Sequence, residues 1–289
     1  LRTCIMQQPR GFLSLVGAIL TEPCSPEADY GVFYIDALTY QPMCGAGTLS
    51  VAKALVETGM VKRVEPETKI VLETPTGLVA VYVKWENHMV ASINLENVPA
   101  FLYRKDLHID LAGYGDVSVD IGYGGNFFVL ADVHSLGLTI TKDTVNLLRS
   151  LSKDILAAAN KVIKVAHPTN PAINYLDQVL FCQNVPEEDG GYLAQCIFGD
   201  AQADISPCGT GTSTRLAQRY FRGLIGLEET FVQKSVCGGA FHAKGLRETT
   251  LGGVPAIVPY VSCSDVHITG FNHLIVEEND KLKNGFVSW

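Results

Sequence analysis

Apolar and polar positions alternate in short bursts along most of this chain. Gly, Pro, Asn or Asp ends each burst, and that rhythm predicts strands. The bursts fall at 16–20, 31–35, 69–73, 78–83, 116–121, 126–131, 192–198, 254–261 and 274–276. The 3.6-residue period of a helix shows in only three places. One stretch covers 48–57 and is closed by Gly59; a second covers 212–222 and is closed by Gly223. The longest, 143–165, sets Leu147, Leu148, Leu151, Ile155, Ala158, Ala159 and Val162 in one apolar stripe.

One echo inside the chain matters more than any single element. Pro42-Met43-Cys44-Gly45-Ala46-Gly47-Thr48 leads into the first helix. Pro207-Cys208-Gly209-Thr210-Gly211-Thr212 leads into another, and the two cysteines are 164 residues apart. That offset is about one domain length. Strand-like sequence precedes each, at 31–35 and 192–198. The reading is two similar domains, each presenting one cysteine on a strand–turn–helix corner.

Composition narrows the picture. With 289 residues, 47% of them hydrophobic, the chain can bury substantial cores. No apolar run reaches the roughly 18 residues of a membrane span. A net charge of −8 argues against a basic nucleic-acid face. None of the eight cysteines is spaced Cys-x-x-Cys, which argues against a zinc ribbon. No spacing of His134, His167, His242, His267 or His273 suggests a metal site, and none is expected. Cys182, Cys196, Cys237 and Cys263 lie in apolar runs and read as small buried hydrophobes. Cys4 and Cys24 read as incidental. A disulfide framework is not expected in a chain this long, which points to a reducing compartment, and a cytoplasmic location is expected.

The paired corners suggest chemistry. Glycines after each cysteine let backbone pass close to a ligand. A first helical turn aims unpaired N–H groups outward, and with the dipole these favour an anion. A thiolate is one such anion and a substrate carboxylate another. Two facing corners would grip a carboxylate and hold one sulfur on each face of its α-carbon. One thiolate then removes the α-proton while the opposing thiol supplies another, inverting the centre with no metal and no pyridoxal phosphate. A phosphate site is disfavoured: neither corner has the P-loop or the full dinucleotide glycine pattern.

These residues also resemble a known family. Met43 to Thr48 and Asp204-Ile205-Ser206-Pro207-Cys208-Gly209-Thr210-Gly211-Thr212-Ser213 are similar to the two signatures of the proline racemase and hydroxyproline 2-epimerase family. Gln8-Pro9-Arg10-Gly11, Asn97-Val98-Pro99-Ala100-Phe101, Gly124-Gly125-Asn126-Phe127-Phe128 and Ile268-Thr269-Gly270-Phe271-Asn272-His273 extend the likeness along the whole chain.

The resemblance implies an α/β (α+β) fold of two similar diaminopimelate-epimerase-like domains, each a curved sheet around a central helix. It implies a first domain of 1–105 joined by 276–289, and a second of 106–275. It implies a homodimer, no cofactor, and proline or hydroxyproline as substrate. Cys44 and Cys208 match the acid/base pair. Backbone N–H groups of Gly45, Ala46, Gly209 and Thr210 match the carboxylate site, and Asp204 matches the holder of the ring nitrogen. Val16 and Phe198 match the pocket walls.

Three departures stand out. Ala46 occupies a position that is usually His, and Val16 one that is often Phe, so more room is expected around the substrate. A leading Asp-Ser-His-Thr-x-Gly-Glu-Pro segment is absent from this sequence, which leaves the first domain incomplete. Two other readings compete: a silent amino-acid-binding protein and a 3-hydroxyproline dehydratase. Dehydratase relatives typically carry Thr in place of the second cysteine, and Cys208 stands against that. Diaminopimelate epimerase is disfavoured because its own Gly-Ser-Gly-Thr signature is missing.

Overall fold

The computed structural model describes residues 1–287. The chain is a mixed α/β fold built on one large curved sheet with few helices. A short helix α1 (Arg2–Met6) precedes β1 (Val16–Thr21), β2 (Tyr30–Asp36) and the two-residue β3 (Tyr40–Gln41). Helix α2 (Gly45–Glu57) then leads to β4 (Glu67–Thr74), β5 (Gly77–Glu86) and β6 (Met89–Glu96). Next come β7 (Phe101–Leu111), β8 (Gly115–Tyr123), β9 (Phe127–Asp132), α3 (Val145–Val162) and β10 (Gln178–Cys182). The last part holds β11 (Tyr192–Phe198), the two-residue β12 (Gln202–Ala203), α4 (Gly209–Phe221), β13 (Phe231–Lys234), β14 (Ala240–Leu251) and β15 (Val254–Cys263).

The internal echo is structural. In the first part, β2 pairs antiparallel with β3, the chain crosses through α2, and β4 returns parallel to β2. In the second, β11 pairs antiparallel with β12, the chain crosses through α4, and β13 returns parallel to β11. Each crossover continues into an antiparallel meander, β4–β5–β6 and β13–β14–β15. The meanders meet where β6 pairs antiparallel with β15, Glu96 opposite Tyr260 and Ile93 opposite Cys263. The sheet order β1-β2-β4-β5-β6-β15-β14-β13-β11-β10-β9-β8-β7 is thus two similar units joined edge to edge, with β10, β9, β8 and β7 added on one side.

Burial explains why these segments take these forms. Strand β4 alternates exposed and buried residues, with Thr68, Ile70 and Leu72 turned inward, as one covered face requires. Strand β10 is buried throughout, since sheet neighbours and α3 enclose it. Helix α2 buries Thr48, Leu49, Val51, Ala52, Leu55 and Val56, and Gly59 follows it in the left-handed region as expected. Helix α4 buries a polar run, and each hydroxyl finds a partner. Ser213 Oγ donates to Gly209 O (3.0 Å), Thr214 Oγ1 donates to Thr210 O (2.8 Å), and Thr212 Oγ1 accepts from Gln233 Nε2 (2.9 Å).

Three expectations need correction. Residues 274–276 are not a strand: they lie in an irregular, exposed stretch with no ladder partner, and Ile275 is 78% exposed. Helix α3 is shorter than 143–165, and its buried stripe is Leu148, Leu151, Ser152, Ile155 and Ala159, leaving Leu147 and Val162 in solvent. Cys237 is exposed, because it falls in the turn between β13 and β14 rather than in a strand. Among the described residues, no helix is long and apolar enough to cross a membrane.

Candidate active site

Both short-strand units deliver a cysteine to the N-cap of a 13-residue helix. The helices begin three residues earlier than their apolar periodicity indicates, because Gly45–Gly47 and Gly209–Gly211 already carry helical backbone. Cys44 Sγ accepts from Gly47 N (3.3 Å), and Cys208 Sγ accepts from Gly211 N (3.3 Å). In each case sulfur fills the capping role usually taken by a Ser, Thr or Asp oxygen. The first-turn amide groups and the positive end of each dipole therefore bear on a sulfur.

The two helix tips touch. A Cβ added to Gly45 would lie 2.7 Å from Gly209 Cα, and one added to Gly209 would lie 2.7 Å from Gly45 Cα. No side chain fits at either position, so backbone rests on backbone. Asn126 holds the junction, its Nδ2 donating to Met43 O (2.9 Å) before one cysteine and to Thr210 Oγ1 (3.4 Å) after the other.

The corners are not identical. Cys44 has extended backbone, φ −144°, whereas Cys208 lies in the left-handed region, φ 64°. A residue with a Cβ is strained there. Ser206 Oγ, accepting from Cys208 N at 3.0 Å, helps to hold that turn. Ser206 N in turn donates to Asp204 Oδ1 (2.8 Å), and Asp204 N donates to Cys196 O (3.0 Å).

Electrostatics differ as well. Burial pushes the Cys44 thiol up to about 12, opposed by the Gly47 N–H and reinforced by Asp204 and Cys208. Burial also raises the Asp204 carboxyl above the usual range, against hydrogen bonds from Ser206 and Cys208. A hydrogen bond with the Cys208 sulfur, then burial, holds the Cys196 thiol well above its ordinary value.

Of the residues singled out from sequence, Val16, Phe198 and Cys208 pack in one apolar cluster with Cys196, Phe128, Leu130 and Leu180. Gly45, Gly209 and Thr210 gather at the tip contact. Ala46 lines a cavity of about 360 Å³ with Ile205, Ser206, Pro207 and His267, and neither Cys44 nor Cys208 lines it. Sequence reasoning passed over Cys196, Ser206 and the clamping role of Asn126. Cys196 looked like any apolar strand residue, and only the short β11–β12 pairing reveals its position beside Cys208. A Ser two residues before an N-cap was a readable turn signal.

Two similar crossover units whose cysteine-capped helices meet tip to tip define a class of paired α/β fold. The comparisons give the class a family. The proline racemase family model matches residues 1–287, and the chain belongs to that family. It is an enzyme of the racemase and epimerase type. The chain is 38% identical over 287 residues to a proline racemase of Clostridioides difficile, covering 99% of this chain and 85% of that protein. It is also 38% identical over 288 residues to a trans-3-hydroxy-L-proline dehydratase of Burkholderia cenocepacia, with the same coverage. A solved hydroxyproline epimerase from Agrobacterium vitis, with bound trans-4-hydroxy-L-proline, superposes with a TM-score of 0.93 at 29% identity, covering 99% of this chain and 82% of that one.

Proposed function

We propose that this chain inverts the α-carbon of proline or hydroxyproline by passing a proton between Cys44 and Cys208, with no cofactor. The observation that carries the proposal is the pair of cysteine-capped helix tips in backbone contact. The substrate carboxylate sits on the N–H groups of Gly45, Ala46, Gly209 and Thr210, where two positive helix ends converge. Donors aimed there act most strongly as charge moves onto the carboxylate in the transition state. Asp204 holds the ring nitrogen, and Val16 and Phe198 flank the ring. One thiolate takes the α-proton and the opposite thiol returns one to the other face. The raised Cys44 thiol suits it to donate the proton when one isomer is consumed, and the reverse direction begins with Cys44 as the thiolate that this donation leaves.

Ala46 and Val16 have smaller side chains than the His and Phe usual at these positions in the family, which leaves more room around the ring. No side chain is identified that would bond a ring hydroxyl. Selectivity for hydroxyproline over proline is therefore modest, within the roughly 1–3 kcal/mol that an apolar pocket provides. We assign residues 1–105 with 276–287 to one lobe and 106–275 to the other; the last two residues of the expected segment 276–289 lie outside the described residues. The mutual hydrogen bonds of Gln8 and Phe286, which tie the late chain to the early chain, support that assignment. A homodimer is the expected assembly.

The dehydratase reading has support from the relative that carries that name at the same identity. One experiment separates the readings. L-proline, trans-4-hydroxy-L-proline and trans-3-hydroxy-L-proline are each incubated with the protein in D₂O. Inversion with deuterium at the α-carbon is the expected outcome. Loss of water from the 3-hydroxy substrate alone would establish the dehydratase, and binding without exchange would establish a silent binding protein.

A further inference from the structure

A third buried thiol lies against the proposed proton-transfer cysteine. The donor atoms of Cys196, Asp204 and Cys208 all lie within 4.8 Å of one another. Among the described residues it is the one group of three His, Cys, Asp or Glu side chains gathered this closely. The ligands are eight and then four residues apart. No Cys-x-x-Cys spacing advertises them, because the β11–β12 pairing rather than a knuckle turn brings them together.

We propose that Cys196, Cys208 and Asp204 form a binding site for a thiophilic divalent cation of the zinc type, and that its occupancy blocks the thiol of Cys208. Two sulfurs and a carboxylate suit zinc far better than magnesium or calcium, which prefer all-oxygen shells. Zinc–sulfur bonds of about 2.3 Å and zinc–oxygen bonds of about 2.0–2.2 Å need these donors to draw in by only about an ångström. A tetrahedral zinc would complete its shell with water or a further donor.

The supporting contacts are those of a built site. Ser206 N donates to Asp204 Oδ1 (2.8 Å) and fixes the orientation of the carboxylate toward the two sulfurs. The Asp204 backbone is pinned at both ends, with N donating to Cys196 O (3.0 Å) and O accepting from Gln195 Nε2 (2.8 Å). Ser206 Oγ fixes the Cys208 backbone (3.0 Å). Such outer contacts orient ligands and raise affinity. Coordination requires both sulfurs as thiolates, so any thiol protons they carry are released to solvent as the metal binds.

The test uses the whole chain with ZnCl₂, CoCl₂ and MgCl₂ as probes. Cobalt binding should produce thiolate-to-metal charge-transfer absorption, competed away by zinc and untouched by magnesium. Cys196→Val and Cys196→Ala should each lose that band and bind zinc roughly tenfold or more weakly. Zinc should also inhibit α-deuterium exchange by the wild type and restore it on chelation, each variant being scored against its own metal-free rate. The proposal is overturned if the wild type gives no charge-transfer band, or if both variants that fold retain wild-type zinc affinity. Cobalt absorption from a protein that never exchanges an α-proton would sustain the metal site and defeat the racemase reading.

Discussion

At the scale of single residues, Cys44 and Cys208 carry the argument because each does two jobs. Each caps a helix through its sulfur, and in the proposed mechanism each meets the α-carbon. Serine keeps the cap but is a far poorer acid and base at this position. Cys44→Ser and Cys208→Ser should each lower inversion by roughly a thousandfold or more. The double variant should be scarcely slower, since removing one partner already disables the pair. Near-normal turnover by either single variant, measured by polarimetry, would end the two-thiol mechanism. Asp177 offers a separate test. Burial, and next the charge of Asp36, raises its carboxyl to about 6. The unfolded chain loses that proton at its ordinary value of 3.8. Folding therefore favours the protonated form, and stability falls as pH rises between those two values, then levels off. Asp177→Asn removes the penalty. It should raise the melting temperature near pH 8 and barely change it near pH 3.5, a gain of up to about 3 kcal/mol. Equal effects at both pH values would refute the linkage.

At the scale of elements, legibility followed local regularity. Helices α2 and α4 were readable because glycine punctuates both ends, and β4 and β5 because one face is apolar. Strand β7 was missed: Arg104, Lys105 and Asp106 break its alternation, and the ladder to β8 shifts register across that run. Strand β14 was missed for a related reason, with Gly245 and a bulge before Arg247 in its middle. Strands β6, β10 and β13 pair with sequence-adjacent strands but show no clean alternation of burial: β6 clusters its buried residues toward one end, β10 is buried throughout, and β13 has only four residues. The site shows the same division. Its two cysteines were readable because a motif repeats, whereas Cys196 needed the β11–β12 pairing and Asn126 needed both halves in place. Helix α3 turns this into a stability prediction. Ile155 is fully buried beneath the sheet, and Leu147 is 45% exposed although both fit the same sequence stripe. Ile155→Ala should cost about 2–5 kcal/mol in urea unfolding. Leu147→Ala should stay within about 0.5 kcal/mol of wild type. Comparable losses would mean that the helix is seated differently.

At the scale of the whole molecule, two similar crossover units joined at the β6–β15 ladder bring two similar helix tips into contact. The likeness is imperfect: Cys44 sits on extended backbone and Cys208 on left-handed backbone. That asymmetry meets a thermodynamic bound. The enantiomers of proline have equal free energy, so an enzyme interconverting them must show the same kcat/KM in both directions, however unlike its two halves are. The inequality of the corners can surface only in kcat and KM taken separately, with a tighter-bound enantiomer turned over proportionately more slowly. The epimers of 4-hydroxyproline are not mirror images, and no such equality binds them. Their kcat/KM values stand in the ratio set by the ligands' own equilibrium, which the protein cannot alter. The handedness of a single cysteine turn is thus free to decide which isomer lingers in the site, and has no say in where the reaction comes to rest.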